Sequence, residues 1–278
     1  MSSGVVLNTN ISSISASRIL ANNRASLEKA MERLASGKRI NSAADDAAGM
    51  AVAAKLRQDV RSLDQAVRNT NDAISMLNTF DGGAAEIESI LVRMRELAVQ
   101  ASNGTYTADD VGQASSEYNA LVTEIDRIAE ATRFNRQTLS DETYTYFLGA
   151  ENSTDIEANE VEVTYGDISA TGLSVAEDDI EDQDAAITAN STIEDALNTL
   201  ATSRADVGAL INRLGHTASN LMSVSQRTKE ALSGVEDADY ASESAALARG
   251  MVLAQAGTAM LAQANQSPQF VLTLLRNV

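Results

Sequence analysis

The sequence predicts a mainly α protein: a long antiparallel helical rod or coiled-coil bundle formed by N- and C-terminal arms, with a small β-hairpin region in the middle. Three observations carry this. Apolar residues recur at spacings of three and four along both flanks. Only one proline, Pro268, interrupts 278 residues, so almost nothing breaks a helix. Between the flanks the apolar period shortens from 3.6 toward 2. With 4% aromatic residues, the core is expected to come from Leu, Ile, Val, Met and Ala.

In the N-terminal arm, Leu20, Leu27, Met31 and Leu34 form an a/d seam that Gly37 interrupts. Asn41 to Asp46 offers caps for a new start. Leu56, Val60, Leu63, Val67, Ile74 and Leu77 then continue the pattern over roughly 35 residues, about 50 Å of helix. Asp81-Gly82-Gly83 predicts a turn or interruption, and Asn103-Gly104 a stop. A further helix is expected around Tyr118, Leu121, Ile125 and Ile128. In the C-terminal arm, Val207, Leu210, Leu214, Leu221, Val224, Thr228, Leu232 and Val235 hold a seam, broken near Gly234. Tyr240, Leu247, Met251, Ala254, Thr258 and Leu261 resume it until Pro268, and Phe270 to Leu275 close the chain with an apolar face. Between the arms, Tyr144 to Leu148, Val161 to Tyr165 and Ile168 to Val175 read as short strands, and Ile193 to Leu200 begins the return helix.

Composition excludes several functions. The formal net charge of −18 opposes nucleic-acid and anionic-membrane binding. With no cysteine and one histidine, neither a thiolate nor a multi-histidine metal site can form. No run of about 18 apolar residues is present, so no bilayer-spanning helix and no membrane insertion are expected. Met1 to Ile14 lacks the basic and apolar regions of a cleavable secretory signal. No Lys or Arg lies between Asp141 and Leu200, and acids are densest at 177–182. This stretch is read as a solvated, outward-facing segment, since no calcium-loop spacing accompanies it.

No catalytic, cofactor or metal site is expected. Asp45 and Asp46 would point about 100° apart on a helix, which suits a helix start and not an acid–base pair. His216 reads as a surface or inter-subunit residue. Gly82-Gly83 lacks the rest of a phosphate loop. The methionines read as core filler.

The chain ends carry the functional reading. Ile11, Ile14, Leu20, Leu27, Met31 and Leu34 in one arm, and Leu247, Met251, Leu261, Phe270, Leu274 and Leu275 in the other, form apolar stripes for terminal and inter-subunit packing. A two-helix pair leaves much of that surface uncovered, so it calls for copies of the chain or another partner. Ala254, Ala256, Gly257, Ala259 and Ala262 leave room for another helix to come close.

The chain resembles bacterial flagellins. The resemblance rests on Arg39-Ile40-Asn41-Ser42-Ala43 with Asp45-Asp46-Ala47-Ala48-Gly49, on Asn69 to Ser75 and on Met94 to Gln100. The C-terminal run Gln255 to Gln266, with Pro268-Gln269 and Val271-Leu272, matches as well. It covers about the first 140 and last 85 residues, far more than any short motif. It implies a short flagellin with terminal and rod domains only. Residues 1–42 plus 237–278 would form the filament-core domain and 43–236 the helical rod, with a β insert at about 141–190 facing the surface. It implies a self-assembling subunit of the flagellar filament, exported uncleaved through the flagellar type III channel to the cell exterior. Implied partners are identical copies, an export chaperone, and the filament cap and junction proteins. Arg93, Leu97 and Glu117 match the pattern recognised by Toll-like receptor 5. The alternatives are a hook–filament junction protein and a type III-secreted coiled-coil binding module. An enzymatic flagellin is excluded by the small insert.

Overall fold

The computed structural model describes residues 9–149, 160–176 and 178–276, with side chains described as far as Gln266. The chain is mainly α, in the order α1 (Ile11–Ser36), α2 (Ala47–Ala101), α3 (Ala108–Ala131), β1 (Arg133–Phe134), β2 (Gln137–Thr138), β3 (Thr143–Phe147), β4 (Glu160–Thr164), α4 (Gln183–Glu236) and α5 (Tyr240–Arg276). It divides into two compact units, Met1–Gln58 with Thr228–Val278, and Asp59–Arg227.

In the terminal unit α1 pairs with α5. Asn10 caps α1 by accepting from the Ser13 N–H at 3.0 Å. Gly37 ends it at φ +72°, a conformation that glycine adopts without Cβ strain, and donates its N–H to Arg33 O at 2.9 Å. The next strand-like step is pinned by a Lys38–Asp237 bridge, with Arg39 N–H on Glu236 O at 2.7 Å and Ala238 N–H on Gly37 O at 2.9 Å. The two adjacent carboxylates both precede α2 instead of lying on a helix, and they separate in role. Asp46 accepts from the Gly49 N–H at 2.8 Å and starts α2. Asp45 turns away to Lys29 at 2.6 Å and to the Asn41 and Ser42 N–H groups. Those donors hold its carboxyl far below the usual range.

The second unit has one apolar core. Leu77, Phe80, Ile87, Leu91 and Met94 of α2 meet Tyr118 and Ile125 of α3 and Ile193, Leu200, Val207 and Leu214 of α4. Thr107 and Asp110 form a reciprocal capping box at the start of α3. The β hairpins close the core. β1–β2 and β3–β4 are both antiparallel, with Tyr144 opposite Val163 and Tyr146 opposite Val161. The Tyr146 and Tyr165 hydroxyls lie 2.9 Å apart, and the Tyr165 ring sits 5.2 Å from Phe80.

Several expectations need correction. Asp81-Gly82-Gly83 does not break α2, because nothing else near it favours a turn and the flanking apolar residues stay in register with the core. Gly234 likewise lies inside α4, and α5 continues past Pro268. The return helix starts at Gln183, ten residues before Ile193. Ile168 to Val175 is irregular chain, and the acidic segment is not simply solvated. Ile168, Ala170, Leu173, Val175 and Ile180 are buried in the core, and Asp178 and Asp179 beside them are half-buried, Asp179 accepting from the Ser115 hydroxyl at 2.8 Å. The large buried side chains include Tyr118, Tyr165 and Phe80, so the few aromatics are concentrated here. Of the methionines, Met76 and Met94 are core residues, whereas Met31, Met222, Met251 and Met260 are exposed.

Candidate assembly surface

The α1–α5 pair holds together by few buried apolar groups and a ladder of polar ties. Leu20 and Ala30 are the buried positions of α1. Opposite them α5 presents glycine. A β-carbon at Gly250 would meet Leu27 Cδ1 at 3.3 Å, and one at Gly257 would meet Leu20 Cδ1 at 3.2 Å, so the missing side chains let the helices close up. Asn10 Nδ2 donates to Ala264 O at 2.7 Å, and Asn23 Nδ2 to Gly250 O at 2.9 Å. The Ser13 hydroxyl donates to Asn265 Oδ1 at 2.7 Å, the Tyr240 hydroxyl to Leu34 O at 2.7 Å, and Arg33 pairs with Glu243 at 2.9 Å. These ties fix register along the pair but bury little surface.

The apolar remainder faces outward. Ile11 and Ile14 are more than 60% exposed, as are Ile19, Val252 and Met260, and Met31, Met251 and Leu253 about half. A groove of about 540 Å³ runs between the helices, lined by Ile11, Ile19, Leu20, Leu253, Gly257 and Met260. Contiguous exposed apolar surface of this kind marks a contact face.

Of the sequence-predicted packing residues, Leu20 is buried and Leu27, Leu34, Leu247 and Leu261 are half-buried in the pair. Ile11, Ile14, Met31 and Met251 are exposed. Phe270, Leu274 and Leu275 lie outside the residues whose side chains are described. Of the small residues, Ala254 and Gly257 are half-buried, whereas Ala256, Ala259 and Ala262 are exposed.

Sequence reasoning missed Val252, Leu253 and Met260, because α5 is apolar on more than its seam. Averaging would have found them. Tyr240–Gln266 has a mean hydropathy of 1.2 over its best window and is 6% buried there. That corrects the membrane expectation: this helix is long and apolar enough to cross a bilayer, through alanine-rich averaging and not through an unbroken apolar run.

Arg93, Leu97 and Glu117 lie in the second unit. Arg93 reaches Glu117 at 2.8 Å and Glu96 at 2.9 Å, and all three charged groups are exposed. Leu97 points the other way, into the core, at 2% exposure. His216 is exposed on α4. No group of three or more metal-ligating side chains occurs among the described residues.

The family model for the bacterial flagellin N-terminal helical region matches residues 7–145, and that for the C-terminal helical region matches residues 190–275. The flagellin of Halalkalibacterium halodurans is 43% identical over 272 residues, 98% of this chain and 100% of its own. The flagellar filament 33 kDa core protein of Treponema phagedenis is 37% identical over 286 residues, 98% and 100% of the two chains. The crystal structure of Bacillus cereus flagellin aligns with a TM-score of 0.49 at 32% identity, covering 55% of this chain and 88% of that one. With both helical regions matched in order, and full-length relatives well above 30% identity, the chain belongs to the bacterial flagellin family.

Proposed function

We infer that this chain is a structural subunit of the extracellular bacterial flagellar filament, self-assembling into a helical polymer that drives swimming. It is a structural protein and not an enzyme. The observation that carries the reading is the uncovered apolar face of the α1–α5 pair, which a lone chain leaves in water. Identical copies packed along that face remove it from solvent, and the ordering entropy of the chain ends is offset only in the polymer. Residues 1–42 with 237–278 form the filament-core domain in this reading, and 43–236 form the domain outside it.

Removal of residues 1–20 or 260–278 tests this. The truncated proteins are expected to stay soluble and form no filaments after seeding, as seen by electron microscopy. Normal filaments from either would overturn the mechanism. A hook–filament junction protein is the nearest alternative, and immunolabelling along the flagellum separates the two. A secreted coiled-coil module would instead give a closed soluble oligomer.

Family membership supports finer partners in the same reading: export through the flagellar type III channel with a chaperone, and contact with the cap and junction proteins. Recognition by Toll-like receptor 5 draws support from the exposed Arg93–Glu117 pair. Leu97 would then act from behind, by holding α2 in place.

A further inference from the structure

The sequence contains a single asparagine–glycine pair, Asn103-Gly104. It occupies the turn between α2 and α3, and both residues are exposed. The neighbouring backbone is held: the Asn103 N–H donates to Gln100 O at 3.2 Å, and the Tyr106 N–H to Asn103 O at 3.3 Å. Among the described residues, however, neither the Asn103 carboxamide nor the Gly104 N–H has a hydrogen-bond partner. A β-carbon at position 104 would meet nothing nearer than Gln183 Oε1 at 3.9 Å, so that side of the peptide is open. Three other asparagine carboxamides, by contrast, are tied to distant backbone: Asn10 on Ala264 O, Asn23 on Gly250 O and Asn69 on Phe147 O.

We propose that Asn103 is a site of spontaneous deamidation in the folded protein, with solvent water as the only co-reactant. The Gly104 amide nitrogen, having lost its proton to solvent base, attacks Asn103 Cγ. The N–Cγ bond forms, the Cγ–Nδ2 bond breaks, and ammonia leaves carrying a proton from solvent, closing a five-membered succinimide. Water then opens the ring. Attack at Cγ restores the backbone and leaves aspartate. Attack at the main-chain carbonyl carbon routes the backbone through the side chain and leaves isoaspartate. No oxidation occurs in either branch. Glycine is required next in sequence because it lacks the β-carbon that would shield the nitrogen, and because its backbone turns freely enough to reach Cγ.

The product alters the local structure in a defined way. A carboxylate at the C-terminal end of α2 opposes the helix dipole. Isoaspartate adds a methylene to the main chain beside Ser102, whose carbonyl accepts the Gln183 side-chain N–H at 2.9 Å. The tie between the end of α2 and the start of α4 loosens, while Leu97 and Ala98 stay in the core.

Full-length protein incubated at mildly alkaline pH in ¹⁸O-labelled water, then digested and analysed by mass spectrometry, tests the proposal. Residue 103 is expected to exchange amide for labelled carboxyl several-fold faster than any other asparagine. Its rate should lie within several-fold of that in a synthetic peptide of residues 100–107 and should rise with pH. Asn103→Gln and Gly104→Ala should each suppress the reaction, with thermal melting to confirm that both variants fold. A native-chain rate more than an order of magnitude below that of the peptide overturns the proposal, because the fold would then protect the site. Conversion of another asparagine ahead of Asn103 overturns it equally.

Discussion

The α-carbon of Gly257 faces Leu20 so closely that an added β-carbon would stand 3.2 Å from Leu20 Cδ1. Contact at this distance leaves room for a methyl only if the leucine gives way, and none for a branched side chain. Gly257→Val should therefore push α5 off α1, at about 1–3 kcal/mol of overpacking. The critical concentration for filament assembly should rise at least tenfold, whereas Gly257→Ala should change it far less. An unchanged critical concentration in Gly257→Val would show that close approach here is dispensable.

Gly83 offers a sharper test within the second unit. A β-carbon there would fall 2.3 Å from Thr132 Oγ1 and 2.9 Å from its Cγ2. The threonine is half committed already, its hydroxyl donating to Ile128 O at 2.7 Å. Gly83→Ala gains about 1 kcal/mol of helix propensity and loses about 1–3 kcal/mol to the clash, for a net loss. In a Thr132→Ala background the two closest atoms are gone and only the residue's own Cβ remains, at 3.2 Å, so the same substitution becomes neutral or stabilising. Denaturant unfolding of the four proteins measures the change of sign.

Arg204 of α4 reaches Asp81 at 2.8 Å and also contacts Glu88, both on α2. All three side chains are about a third to a half exposed, so the cluster contributes a modest amount. Arg204→Met should cost about 1 kcal/mol at low salt, and the gap should narrow as salt screens the pairs. A salt-independent loss would point to the packing of the arginine stem instead.

Two carboxylates give opposite pH signatures. Asp45 is depressed by its hydrogen bonds from Lys29 and from the Ser42 and Asn41 N–H groups. Its stabilisation is present above the ordinary carboxylate range and lost as pH falls through the depressed value. Asp178 is raised by burial, with one oxygen left unpartnered. Its contribution is present below the ordinary carboxylate value and lost as pH rises through the raised one. Thermal melts from acid to neutral pH should show Asp45→Asn losing stability at neutral pH and converging with the parent in acid. Asp178→Asn should gain at neutral pH, with the gain vanishing in acid.

The helices were legible in sequence because apolar spacing records which face is buried, and Gly37 and Asn103-Gly104 end helices where expected. Gly82-Gly83 misled because glycine was weighed without its surroundings. Gly83 sits inside α2 where Thr132 leaves no space for a side chain, so it is a packing residue and not a breaker. Val224 belongs to the heptad pattern but is exposed, while its neighbour Ser225 turns in to donate to Asp64 at 2.7 Å. A polar residue satisfied by a distant partner leaves no trace in apolar periodicity. The same holds for Asn10, Asn23 and Glu236, the last held between Lys38 and Arg57. The assembly face was legible as a surplus of apolar residues, but the exposed side of α5 was not, since a seam assigns only one face.

Asn10 and Ala264 are joined across 254 positions of chain. A ribosome making this polypeptide has finished α1 long before it reads the codons for α5. Throughout the synthesis of the intervening chain the first helix has no mate, and its isoleucines are open to whatever else is in the cell. Closing so long a loop is also slow relative to local folding. The terminal pair therefore forms only once α5 has been made, and until then α1 keeps its apolar stripe without its mate.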